Sequence, residues 1–80
     1  MRVRWIRSEE ALASFDRALA LDANLAQGHG GRGCALSQLE RHDEAVTSLR
    51  RALEIDYDSF ERFPHMKQCY QNSLRILARD

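Results

Sequence analysis

The sequence predicts an all-α fold of antiparallel helix-turn-helix repeats, on three observations. The chain is self-similar at an offset of 34 residues. Its apolar residues recur with the period of a helix, and no stretch alternates as a strand would. Between periodic segments lie only short breaks, which makes sequential helices antiparallel neighbours.

The repeat is read first, because a fixed period decides the architecture. Shifted by 34 residues, Glu10-Ala11-Leu12 falls on Glu44-Ala45-Val46. Ser14-Phe15 then falls on Ser48-Leu49, Arg17-Ala18-Leu19 on Arg51-Ala52-Leu53, and Leu21-Asp22 on Ile55-Asp56. The mismatches are mostly apolar-for-apolar exchanges.

Four helices are expected, at about residues 8–22, 25–39, 43–56 and 64–78. In the first, Ala11, Leu12, Phe15, Ala18 and Leu19 form one face of a 3.6-residue period. Ser8 before Glu9 and Glu10 suits an N-cap with an acidic first turn. The second carries Leu25, Ala26, Ala35, Leu36 and Leu39. The third repeats the first stripe as Ala45, Val46, Leu49, Ala52 and Leu53, with Asp43 and Glu44 at its start. The fourth carries Met66, Tyr70, Leu74 and Leu77, flanked by Ile76. Pro64 has no N–H to donate, so that helix begins at or near it. Gly28, Gly30 and Gly31 stand beside Gly33 in the second helix. Each costs a helix interior about 0.8–1 kcal/mol relative to Ala. That turn must fray or be held by close contact with a neighbour.

Composition narrows the function. Eighty residues make one domain at most, with a core supplying roughly 3–5 kcal/mol. The 12 basic and 12 acidic residues cancel, so no global charge recruits nucleic acid or anionic lipid. No run approaches the roughly 20 apolar residues of a membrane span. Arg2, Arg4 and Arg7, interleaved with Val3, Trp5 and Ile6, are neither a signal peptide nor a wide basic face. Cys34 and Cys69 are read as reduced thiols in a cytoplasm.

From Ala26 to Ser59 the chain resembles one full tetratricopeptide repeat. Gly33, Leu36, Ala45, Leu49 and Ala52 stand where that family places its small and large packing residues. Gly31-Arg32-Gly33-Cys34-Ala35-Leu36 with Asp43-Glu44-Ala45 is also similar to repeats attached to bacterial glycosyltransferase domains. Residues 8–25 look like the second half of a preceding repeat, and 60–80 like the first helix of a following one, behind an arm at 1–7. Phe63, Met66 and Tyr70 take its packing positions. Tyr57 and Ala23 depart from the family, which usually has proline there.

The resemblance implies a protein-interaction module that grips a protein or peptide in a concave groove lined by the first helix of each repeat. Its groove positions fall on Gln27, Gly30, Gly31, Cys34, Ser37 and Gln38, then on Glu61, Pro64, His65, Gln68, Gln71 and Asn72. The stripe is polar and amide-rich, suited to a peptide backbone. The lysines and arginines with which some relatives clamp a terminal carboxylate are missing. The resemblance also implies an unfinished apolar end at Trp5, Leu12, Phe15 and Leu19, able to take a partner or a second copy. A structural self-assembly unit, a homo-oligomer, and a non-catalytic segment of a larger glycosyltransferase-like enzyme remain alternatives.

Other signals are weaker. Gly28-x-Gly30-x-x-Gly33 matches a dinucleotide-binding string, but follows a helix where that chemistry needs a strand. His65 and Cys69, one helical turn apart, have ligand spacing, yet a structural zinc site needs four converging ligands. No metal, cofactor or catalytic residue is therefore expected, and Cys34 is read as a small packing residue.

Overall fold

The computed structural model describes residues 4–79, with side chains from Arg7 onward. Five helices are present: α1 (Arg4–Leu21), α2 (Ala26–Gln38), α3 (His42–Ile55), α4 (Tyr57–Arg62) and α5 (Pro64–Arg79). No strand occurs among the described residues.

Contacts fix the directions. Ser8 meets Gln38, Asp16 meets Arg32, and Leu19 lies against Gly28, so α1 and α2 run antiparallel. Arg32 also reaches Ser48, and Gly33 lies against Leu49 and Ala45, so α3 turns back along α2. On the other side, Gly30 faces Met66 and Ser37 faces Ser73, both pairs 36 apart, so α5 runs parallel to α2. α2 and α5 thus lie side by side and parallel. α1 packs against α2 alone among the described elements.

The core sits where α2, α3 and α5 converge. Leu36, Ala45 and Leu49 are fully buried, with Ala35, Val46, Ala52 and Phe60 nearly so. Burying a Leu side chain contributes about 1.5–3 kcal/mol, so Leu36 and Leu49 carry much of so small a fold. Leu53, Met66, Cys69 and Tyr70 pack around it, and Tyr70 meets Phe60 edge to face at 5.8 Å between ring centres.

The glycine-rich turn does not fray. A Cβ on Gly33 would overlap Leu49 and stand 3.1 Å from the Ala45 carbonyl oxygen. A Cβ on Gly31 would occupy the position of the Phe15 ring. Helix propensity is given up here so that α1 and α3 can approach α2 closely.

The structure corrects several expectations. α1 begins at Arg4, so Ser8 lies inside the helix, buried, donating its hydroxyl to Gln38 Oε1. It is no N-cap, because its neighbour across the α1–α2 seam supplies a better partner. α3 begins at His42, and Asp43 and Glu44 fill its first turn, where they favour the helix dipole. The stretch before Pro64 is helical. Asp56 accepts the Ser59 N–H at 3.0 Å and starts α4, and Phe60 enters the core. Phe63, expected to pack, is 40% exposed at the end of α4.

α2 ends by a left-handed residue at Glu40, with φ of 63°. Arg41 N–H bonds the Leu36 carbonyl at 2.9 Å and Glu40 N–H bonds Ser37 at 3.1 Å. This double bond pattern closes the helix and aims the chain into α3.

Candidate functional site: the cleft between α2 and α5

Parallel α2 and α5 leave an open cleft between their outward faces. One part, of about 440 Å³, is lined by Ser37, Gln38, Glu40 and His42 and by His65, Gln68, Cys69, Asn72 and Ile76 of α5. A second part, about 280 Å³, is lined by Gln27, Gly31, Cys34, Phe63, His65 and Met66. A third adjoins α1 through Ala11 and Phe15, and shares Gly31, Cys34, Gln38 and His65.

The sequence-predicted groove residues divide as follows. Gln27, Gly31, Cys34, Ser37, Gln38, His65, Gln68 and Asn72 all line these spaces. Gln71 lines none of them and is exposed elsewhere on α5. Ser37 lines the wall but is buried and bonded to Ser73, so its hydroxyl holds α2 to α5. Gln38 is exposed, with its carbonyl oxygen accepting from Ser8. The free amides facing solvent in the cleft are therefore chiefly those of Gln27, Gln68 and Asn72.

Ser73 and His42 were not anticipated. His42 Nδ1 lies 2.9 Å from Ser73 Oγ, which donates to Ser37 Oγ at 3.0 Å. The chain stitches α3, α5 and α2 together at one end of the cleft. Ser73 is 0% exposed, so no acyl group can reach its hydroxyl, and the arrangement is structural rather than nucleophilic.

Cys34 and Cys69 meet across the α2–α5 seam. Cys69 is held below the usual thiol range by the hydrogen bond from Cys34. That same bond, together with burial, pushes Cys34 far up. A proton therefore stays on Cys34 while Cys69 is the more readily ionised.

The apolar end is partly covered. Leu12, Phe15 and Leu19 are half-buried, Phe15 against Gly31 and Leu19 against Gly28. The Trp5 side chain lies outside the described residues. Leu21, at the end of α1, is 89% exposed. No helix among the described residues is long and apolar enough to cross a membrane.

Comparison with known proteins agrees with this geometry. Residues 26–59, which span α2, α3 and the start of α4, match the family model for the tetratricopeptide repeat. Over 54 residues, 68% of the chain, it is 41% identical to a DnaJ homolog subfamily C member 7 homolog of Schizosaccharomyces pombe (strain 972 / ATCC 24843). The matched part is only 11% of that relative's length. No solved structure matches the chain. The repeat offset, the antiparallel α2–α3 pair and the family match converge, and the chain carries a tetratricopeptide repeat at residues 26–59.

Proposed function

We propose that this chain holds an extended segment of a partner polypeptide in the cleft between α2 and α5. The observation that carries the reading is a polar stripe opposed to an apolar recess. Gln68 and Asn72 face the cleft beside Gln38, and the recess next to it is walled by Gly31, Phe63 and Met66. Amides can donate to and accept from a peptide backbone that has no other partner. The recess suits one bulky apolar side chain. Charges are sparse, with Glu40 at one margin, so a strongly acidic or basic ligand finds no complement.

Such a surface is small, and small interfaces are weak. The reading therefore expects modest affinity for an isolated peptide. Random-peptide display on the immobilised chain tests it. Selected peptides should carry a bulky apolar residue among uncharged polar ones. Replacing Gln68 and Asn72 by Ala together should weaken them about 5- to 150-fold, as two hydrogen bonds of about 0.5–1.5 kcal/mol each are lost. Arg50→Ala, on the cleft between α1 and α3, should leave affinity unchanged. Peptides that bind the double variant as well as the parent would refute the reading.

Self-assembly is a second reading, favoured by one observation. α1 has α2 as its sole described neighbour, and its side chains at Leu12 and Leu19 are only half-buried. Light scattering over a concentration range decides it. A dimer dispersed by Leu12→Glu would support it, and a monomer at all concentrations would remove it.

A further inference from the structure

The sequence offers His65 and Cys69 one turn apart on α5, which is half a metal site. The fold supplies the missing part from 31 residues away. Cys34, on α2, brings its sulfur to the same point. A ring nitrogen of His65 and the two sulfurs all lie within 4.8 Å of one another. Around a tetrahedral zinc ion, with Zn–S of about 2.3 Å and Zn–N of about 2.0–2.1 Å, two sulfurs stand about 3.8 Å apart and sulfur and nitrogen about 3.5 Å. The cluster needs to contract by about 1.3 Å at most to reach those separations. We propose that Cys34, His65 and Cys69 form a binding site for a single thiophilic divalent ion, Zn2+, that clamps α5 to α2.

Three features beyond proximity support it. First, the donor set is selective: two thiolates and an imidazole take zinc in preference to hard cations such as magnesium or calcium, which want oxygen. Second, the ligands are graded in exposure. Cys34 is buried, Cys69 half-buried and His65 exposed, so the site has a fixed floor and an open mouth. Cys34 and His65 both wall the cleft, which gives the ion an entry path and leaves a fourth position for water. Third, the ligands come from separate elements that the core already holds in register through Ser37, Ser73 and His42, so little new ordering is required. Cys34 Sγ is 4.0 Å from the His65 carbonyl oxygen, which marks how closely the start of α5 approaches α2.

The step balances simply. Zn2+ accepts one electron pair from each sulfur and one from the neutral imidazole. Both thiol protons leave to solvent, so two protons appear per ion bound. The resulting site, with water as fourth ligand, carries no net charge. Nothing is oxidised.

The proposal is independent of the polypeptide-holding reading, since it needs no partner. The experiment uses the whole chain, kept reduced by a non-thiol phosphine, with Co2+ as a coloured probe and Zn2+ as competitor. Co2+ should give thiolate-to-metal charge-transfer absorption and intense visible bands of tetrahedral coordination, saturating at one ion per chain. Zn2+ should bleach them, with two protons released per ion in weak buffer. Zn2+ should also raise the melting temperature, because it binds the folded chain and offers the unfolded one no formed site.

Cys69→Ser and His65→Ala, at half-buried and exposed positions, should fold and should abolish or shift the bands. Cys34→Ser removes a core contact, so circular dichroism must accompany its result. His29→Ala, remote from the cluster, should behave as the parent. A parent that stays colourless with Co2+ overturns the proposal. So do bands that survive unchanged in both Cys69→Ser and His65→Ala, since the metal would then sit elsewhere.

Discussion

Gly33→Ala separates helix propensity from packing in this fold. In an isolated helix the change gains about 0.8–1 kcal/mol. Here the new methyl would overlap the Leu49 side chain and press on the Ala45 carbonyl oxygen, 3.1 Å away. Leu49 and Ala45 are both 0% exposed, and one of the obstacles is backbone, so neither can swing aside. α2 and α3 must part instead. Overpacking of this kind costs about 1–3 kcal/mol, and a backbone obstacle puts the value in the upper half. The net expectation is a loss of about 1–2 kcal/mol. For a chain this size that lowers the melting temperature by roughly 5–15 °C.

Gly28→Ala is the internal control. Its methyl would meet Leu19 Cδ2 at 2.9 Å and Leu25 Cδ2 at 3.3 Å, the ends of flexible side chains that reach solvent. The propensity gain should survive there, with stability unchanged or raised by up to about 1 kcal/mol. Thermal and urea unfolding of the three proteins, followed by circular dichroism, gives the comparison. A Gly33→Ala protein that melts at or above the parent would refute the claim that α2 and α3 touch at this glycine.

Other outcomes follow from the same geometry. Ala52→Trp should unfold the module, because Ala52 is 1% exposed and its surroundings have no room; a parent-like melt would mean that the repeat alignment is wrong. Glu40→Gly should stabilise by about 0.5–1 kcal/mol, since Glu40 holds φ of 63° where glycine is unstrained; urea midpoints measure it, and a loss would contradict the helix-end assignment. Ser73→Ala should cost about 1–3 kcal/mol, because Ser37 and the His42 ring lose a buried partner; an unchanged urea midpoint would dismiss the three-residue stitch.

The parts of the fold legible in the sequence are those governed by local period. The 34-residue offset paired α1 with α3, and the matching of Phe15 with Leu49 reflects their equivalent contacts with Gly31 and Gly33. Pro64 marks the start of α5. Short-range polar choices were harder. Ser8 carries an N-cap residue type, yet its partner is Gln38, 30 residues on. α4, begun by Asp56 accepting from the Ser59 N–H, has 6 residues, too few turns to show a period.

The cleft was legible where a family pattern could be laid on the chain, and Gln71 shows its limit. One residue of rotation on α5 moves a side chain off the face, and it is tertiary packing, through Met66, Cys69, Tyr70 and Ser73, that fixes that rotation. The Cys34–His65–Cys69 cluster was only half legible, as the His65–Cys69 spacing, for a different reason. Its members come together because α5 runs parallel to α2, a tertiary fact that no spacing rule for metal ligands encodes.

The central claim is that the face shared by α2 and α5 receives a polypeptide. An NMR titration of the labelled chain with a display-selected peptide tests it directly. The account predicts that the side-chain amides of Gln27, Gln38, Gln68 and Asn72 shift together and saturate, while residues around Arg50 and Glu54 stay still. Shifts centred on Leu12, Leu19 and Leu21, or shifts that track protein concentration without peptide, would contradict it and assign the interaction to the open side of α1.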